Sequence, residues 1–102
     1  MRFLVKAVIP LEAGNDLVRD PEMMQRIQSV LADLKPEAAY FAAADGQRTI
    51  YLIVNMNEAH EIARIAEPLW LGFEADVELI PVMVQEDFAK AASFFEELNE
   101  KY

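Results

Sequence analysis

The stretch YFAAADGQRTIYLIVNM, residues 40–56, decides the fold of this chain. Tyr40–Ala44 and Gln47–Met56 are two runs of strand-forming residues, separated only by Asp45-Gly46. Asp-Gly between two such runs is the strongest short-range hairpin signal, because a type I′ turn needs positive φ at both central residues. The hairpin determines which residues face each other, and therefore which side chains share a face of the sheet.

The residues before the hairpin predict a strand, a loop and a helix. In Phe3–Ile9, the residues that point to each of the two faces of the strand are mostly apolar. This predicts a central strand covered on both sides. Pro10–Arg19 is predicted to be a loop, with Gly14-Asn15-Asp16 as its turn. A helix is predicted to begin at Asp20-Pro21-Glu22, with the aspartate as its cap, and to end at Lys35-Pro36.

The residues after the hairpin predict a helix, a strand and a last helix. Asn57 is predicted to cap the second helix, which Pro68 should kink or end, with a further turn that stops at Gly72. Glu74–Val84 is predicted to be a strand at the edge of the sheet, because its proline lacks a ladder donor. The last helix is predicted over about Glu86–Glu100, with a buried stripe of Phe88, Ala91, Ala92, Phe95 and Leu98.

This β-α-β-β-α-β order with an added C-terminal helix predicts one α+β, ferredoxin-like domain over residues 1–102. Right-handed crossovers place both helices on one face of a four-stranded antiparallel sheet and leave the other face bare. The bare face is predicted to carry Tyr40, Thr49, Tyr51, Ile53 and Asn55. Because large apolar patches mark interaction sites, and twofold dimers are the commonest assemblies, we expect a homodimer with its sheets packed face to face.

Composition excludes several classes of partner. The net charge is −9 and the nine Lys and Arg residues are scattered, so nucleic acid and anionic membrane surfaces are not expected to bind. No cysteine is present. Lys6 and Pro10 interrupt the apolar N-terminal run, which is therefore not predicted to be a signal peptide. No apolar stretch is long enough to span a bilayer, and a soluble cytoplasmic protein is expected.

Six short motifs are spread over most of the chain: Tyr40-Phe41, Ala66-Glu67-Pro68-Leu69, Gly72-Phe73, Val77-Glu78, Pro81-Val82-Met83 and Glu86-Asp87-Phe88-Ala89-Lys90-Ala91. With the element order and the length, they resemble the dimeric α/β-barrel superfamily and, within it, a small bacterial family of uncharacterised proteins. The motifs are structural and carry over no catalytic residue. The resemblance implies a dimeric barrel whose relatives include cofactor-free monooxygenases, haem-degrading enzymes and small-molecule isomerases.

Two residues are candidate bases. His60 is the only histidine, the residue type that most often acts as a general base near neutral pH, although a solvated histidine in the first helical turn is the simpler interpretation. Glu78 is predicted to neighbour Lys6 across the first and fourth strands. A cross-strand ion pair is the simpler interpretation of these two; alternatively both point into a barrel cavity and orient a ligand.

Tyr40 and Tyr51 are predicted to oppose each other in the hairpin. They form either an aromatic pair at the dimer interface or, with Lys6, Thr49 and Asn55, the few polar contacts of a mostly apolar ligand pocket. A lone histidine without cysteines makes a poor metal site. Neither a metal nor a cofactor is expected.

Three functions are compatible with these residues. The first is a homodimer that binds a small apolar organic molecule in a cavity between sheet and helices. The second is a cofactor-independent monooxygenase or isomerase that uses His60 or Glu78 as its base. The third is an amino-acid-sensing regulatory module, in which Gly14-Asn15-Asp16 forms a ligand-binding loop.

Overall fold

The structure is a computed structural model that describes residues Met1–Tyr102. Its strands are β1 (Arg2–Ile9), β2 (Ala38–Ala44), β3 (Gln47–Asn55) and β4 (Asp76–Pro81), and its helices are α1 (Leu11–Arg19), α2 (Met23–Leu34), α3 (Glu61–Phe73), α4 (Gln85–Lys90) and α5 (Ala92–Lys101). The strands form one antiparallel sheet in the order β2-β3-β1-β4. The fold is therefore α+β, consistent with a ferredoxin-like fold. None of the helices combines the length and the apolar run needed to cross a membrane.

The hairpin has the predicted turn and register. Asp45 has φ 53° and Gly46 has φ 77°, the positive values that a type I′ turn requires. Tyr40 faces Tyr51 and Ala44 faces Gln47, as predicted. The strands differ from the prediction only at their outer ends, because β2 begins at Ala38 and β3 ends at Asn55.

Each face of the sheet carries the side chains that the hairpin register predicts for it. The helices α1, α2 and α3 lie on the face that carries Val5, Ala7 and Leu52, which are fully buried. β1 pairs with both β3 and β4, while β4 pairs with β1 alone, so the predicted central and edge positions are confirmed. The predicted cover on both sides of β1 is not formed within the chain, because Leu4, Lys6 and Val8 are only partly buried. The other face, here called the open face, carries Arg2, Leu4, Lys6, Val8, Ala38, Tyr40, Ala42, Thr49, Tyr51, Ile53, Asn55, Asp76, Glu78 and Ile80.

The loop predicted over Pro10–Arg19 is wrong, because these residues form helix α1. Gly14-Asn15-Asp16, predicted to be a turn, lies inside that helix. Gly14 and Leu17 are buried, and the Gly14 N–H donates to the Pro10 carbonyl at 2.8 Å. Burial of this helix face outweighs the local turn preference, which is only a weak prior. The glycine loop required by the amino-acid-sensing interpretation is therefore absent.

Helix α2 begins at Met23, two residues after the predicted first helical residue, Pro21. Asp20 still receives a backbone hydrogen bond, because its carboxylate accepts the N–H of Glu22 at 2.9 Å. That bond, together with one from Arg26, lowers the pKa of Asp20. The helix ends as predicted before Pro36, with Lys35 in a left-handed conformation at φ 48°.

Helix α3 begins at Glu61, and the predicted cap at Asn57 is wrong. The Glu61 carboxylate instead accepts the N–H groups of Asn57 and Glu58, at 2.7 and 3.0 Å. Those residues therefore form a turn before the helix. The helix continues through Pro68 and ends at Phe73, one residue beyond the predicted Gly72, and Glu74 follows it in a left-handed conformation at φ 54°.

The C-terminal part of the chain departs most from prediction. β4 is shorter than predicted, and the last helix is broken at Ala91 into α4 and α5. The predicted buried stripe is wrong: Phe88 is 57%, Phe95 49% and Leu98 48% exposed. The two helices project from the body, and the radius of gyration is 17.0 Å, against about 13 Å for a compact chain of this length. No other part of the chain covers the stripe.

Candidate functional site

The register places four of the predicted site residues in one row across the open face. Tyr40 of β2 faces Tyr51 of β3. Lys6 of β1 lies between Tyr51 and Glu78 of β4. The row spans all four strands, so the sheet brings together residues that are far apart in sequence.

The predicted ion pair between Lys6 and Glu78 is not formed, although the two residues are register partners. The Lys6 Nζ atom lies 3.9 Å from a carboxylate oxygen of Asp45 in the hairpin turn instead. Thr49 is only 2% exposed although it belongs to the open face. Its hydroxyl donates to the Gln47 carbonyl at 3.1 Å, so this hydroxyl is already bonded within its own strand.

Asn55 lies at the far end of the open face. Its amide oxygen accepts a hydrogen bond from the Met1 ammonium at 2.8 Å. Its register partner Arg2 donates to both carboxylate oxygens of Glu37, at 2.9 and 3.2 Å, and this bond raises the pKa of Arg2. The side chains of Asn55 and Arg2 are therefore already hydrogen-bonded, to the Met1 ammonium and to Glu37.

The two candidate bases do not share a cavity. His60 lies just before α3 with its side chain exposed, and its Nδ1 atom is 3.3 Å from the Glu58 carboxylate. The shallow hollow beside it is lined only by polar and charged residues. Glu78 is exposed on the edge strand and lines none of the four cavities. No group of three or more His, Asp or Glu side chains is placed to hold a metal ion.

A largely apolar groove lies between the sheet and two helices. Its volume is about 390 Å³, and nine of its eleven lining residues are hydrophobic. Helices α1 and α2 form one wall and the hairpin forms the other; the lining is Ile9, Leu17, Val18, Met23, Ile27, Phe41, Ala42, Ala43, Arg48, Thr49 and Ile50. This lining defines what we call the Arg48 groove. Its volume falls within the range of small-molecule pockets, about 300–1,000 Å³.

Arg48 is the single charged residue that lines the groove. Its Nη1 atom donates to the side-chain oxygen of Asn15 at 3.1 Å, and none of the ion pairs in the structure includes it. Gly14 makes room for it, because a β-carbon there would stand 2.8 Å from Nη1. The guanidinium therefore lies against α1 beside apolar walls, with donors that no carboxylate occupies.

The structure divides the predicted ligand site between two places. Of Lys6, Tyr40, Thr49, Tyr51 and Asn55, only Thr49 borders the groove, and the others lie on the open face. Sequence reasoning missed Arg48 as a site residue. The signal was present, since the hairpin register places this charged residue in the otherwise apolar set that faces the helices.

The strongest electrostatic perturbation lies elsewhere and is structural. The N–H groups of Glu58 and Asn57, with the Arg64 guanidinium, lower the pKa of Glu61 to about 2. A carboxylate held ionised in this way stabilises a helix start and makes a poor base. The chain matches no protein-family model and no curated protein.

Proposed function

We propose that this protein binds a small, largely apolar organic molecule with an anionic group in the Arg48 groove. The observation that carries the proposal is an arginine without a carboxylate partner on a groove of about 390 Å³ whose walls are otherwise almost entirely hydrophobic. Ligand sites typically combine apolar walls with a few polar groups that orient the ligand. The groove has this composition.

The charge of the groove supports an anionic ligand. None of its lining residues is acidic, in a chain with 18 Asp and Glu residues and a net charge of −9. Arginine binds carboxylates through two parallel hydrogen bonds, and Arg48 is exposed, so a ligand can reach it from solvent. A carboxylate would pair with Arg48 while its hydrocarbon part lies along Ile27 and Phe41.

The proposal is tested with octanoate and octan-1-ol, which differ mainly in the charged group. In a ¹⁵N-NMR titration, octanoate should shift the amides of the groove walls and bind about tenfold more tightly than the alcohol, since hydrogen bonds to charged groups are worth roughly 1.5–3 kcal/mol. Arg48→Gln should remove most of that difference. Arg19→Gln is the matched control, because Arg19 is another arginine outside every ion pair and does not line the groove.

Three results would count against the proposal. Equal binding of octanoate and octan-1-ol would remove the role of Arg48 and leave a nonspecific apolar surface. Shifts confined to the open face or to α4 and α5 would place the binding outside the groove. If both variants weaken octanoate equally, the effect of charge is long-range and not local to Arg48.

We further propose that the chain is a homodimer of the dimeric α/β-barrel type, with the open faces of two copies packed together. The strand order and the helix-free face support this assembly. Tyr40 and Ile80 are exposed on that face, beside Leu4, Tyr51 and Ile53, and apolar patches of this kind mark interaction surfaces. Native mass spectrometry at micromolar concentration tests it, and a monomer would contradict the proposed dimer.

A further inference from the structure

The two C-terminal helices form an extended arm, here called the C-terminal arm, residues 85–101. No residue of α4 or α5 is buried, and the main contacts of α5 are with α4. The longest dimension of the chain is 59 Å, about twice the next. The arm therefore stands away from the body of its own chain.

The arm carries an uninterrupted apolar stripe. Phe88, Ala91, Phe95 and Leu98 recur at alternating spacings of three and four, the spacing of one helix face, and Tyr102 continues it directly after the arm. The rings of Phe88 and Phe95 lie 5.6 Å apart between centroids. The opposite side is acidic and carries Glu96, Glu97 and Glu100. This pattern is typical of a helix that packs one face against another surface.

An arm of this length needs a partner. Isolated helices shorter than about 12–15 residues are marginal in water, and this arm is broken at Ala91 into segments of 6 and 10 residues. Its one side-chain cap is at the start, where the Asp87 carboxylate accepts the Val84 N–H at 3.1 Å. Most helical stability in proteins comes from packing of the apolar face, so a covering surface is required.

The arm adds apolar surface beside the open face. The stripe residues Phe88 and Phe95 are each about half exposed and contribute on the order of 200 Å², and the exposed parts of Leu98 and Tyr102 add to this. A standard interface buries about 800 Å² on each partner. The stripe therefore offers a substantial share of the surface that a stable dimer needs.

The arm begins where the open face ends. Ile80 belongs to that face, and Val82, two residues on, still donates to the Arg2 carbonyl at 3.1 Å. Only Val82–Val84 separate β4 from α4. A second copy of the chain that covers Ile80 therefore lies within reach of the arm of the first.

We infer that the C-terminal arm docks its Phe88–Phe95–Leu98 stripe on a second copy of this chain, as an arm exchanged between the subunits of the dimer. This inference rests on the proposed homodimer and extends it. Each subunit then orders the arm of the other, and the arm surface and the open face form one continuous interface.

Amide hydrogen exchange of the full-length protein over a concentration series tests the inference, with the dimer fraction measured in parallel by analytical ultracentrifugation. Protection of the Ala92–Lys101 amides should rise together with the dimer fraction. A dimer whose arm amides stay unprotected would overturn the exchanged arm and leave the sheet-to-sheet dimer intact. A monomer at every concentration would overturn both. Arm protection at concentrations where the chain is a monomer would show that the arm packs on its own chain.

Variants provide a second readout. Replacing both Phe88 and Phe95 by Ser should weaken dimerisation by at least about tenfold, as expected when large aromatic anchors are truncated. Leu71→Ser is the control, because Leu71 is 81% exposed on α3 and should leave the dimer unchanged. An unaltered dimer in the double variant, with its sheet content retained by circular dichroism, would contradict the inference.

Discussion

Arg48 crosses helix α1 directly over Gly14: a β-carbon at Gly14 would stand 2.8 Å from Nη1 and 3.2 Å from Cδ of Arg48. The helix thus carries its one glycine where the guanidinium passes on its way to Asn15. A glycine inside a helix costs about 1 kcal/mol relative to alanine. In the proposed site, the glycine lowers helix stability by this amount but leaves room for the arginine to lie at the groove.

Gly14→Ala is expected to weaken octanoate binding without unfolding the protein. The new methyl group displaces the flexible end of Arg48, while the gain in helix propensity, up to about 1 kcal/mol, compensates the crowding. Gly72→Ala is the matched control, since a β-carbon there meets nothing within 4 Å. It should leave binding unchanged. Urea unfolding and the octanoate titration measure both effects, and equal affinities of the two variants would contradict the role of Gly14.

Glu61→Gln is expected to destabilise the protein at neutral pH but not in acid. The pKa of Glu61 in the folded state is about 2, below the value of about 4.3 for an unfolded glutamate. The ionised carboxylate therefore stabilises the fold above pH about 4.3, and this contribution is lost as the pH falls towards about 2.

The measurement is the urea midpoint of wild type and variant from pH 7 to pH 2, and the difference should shrink on the acid side. Glu67→Gln, on the same helix with an exposed side chain, provides the control. A difference that stays constant with pH would show that Glu61 acts by packing rather than by charge.

Leu52→Ala is expected to lower the free energy of unfolding by about 2–5 kcal/mol, the range for a leucine deleted from a close-packed core. Leu52 is fully buried at the centre of β3. Leu71→Ala should change stability by less than about 0.5 kcal/mol, because that side chain is already in solvent. Similar losses for both variants in urea unfolding would be inconsistent with the described core.

Gly46→Ala is expected to cost about 1–2 kcal/mol of stability, because an L-residue with a β-carbon is strained in the left-handed region. Gly46 has φ 77°, and no atom lies within 4 Å of a β-carbon there. The cost therefore comes from backbone strain and not from a clash with neighbouring atoms. Asp45→Asn should be nearly neutral, since asparagine also tolerates the turn and the ion pair to Lys6 is long at 3.9 Å. Thermal unfolding of the two variants distinguishes them.

The hairpin and the face that meets the helices follow from the sequence. Asp45-Gly46 specifies the turn locally, and the period of two then places Tyr40 opposite Tyr51 and Leu52 in the core. The Arg48 groove could not be predicted in the same way. One of its walls is helix α1, and the residues Gly14-Asn15-Asp16 favour a turn by local preference.

What the sequence determined by itself was therefore the pairing of neighbouring strands, because turn chemistry and alternation act within a few residues. Tertiary structure decided the rest. Gly14 and Leu17 are helical because packing on the sheet buries them, and Arg48 reaches Asn15 only when that helix is in place. The stripe of Phe88 and Phe95 has a buried helix's pattern but no cover within the chain. A pattern specifies which face must be buried, whereas the surface that buries it depends on the path of the whole chain.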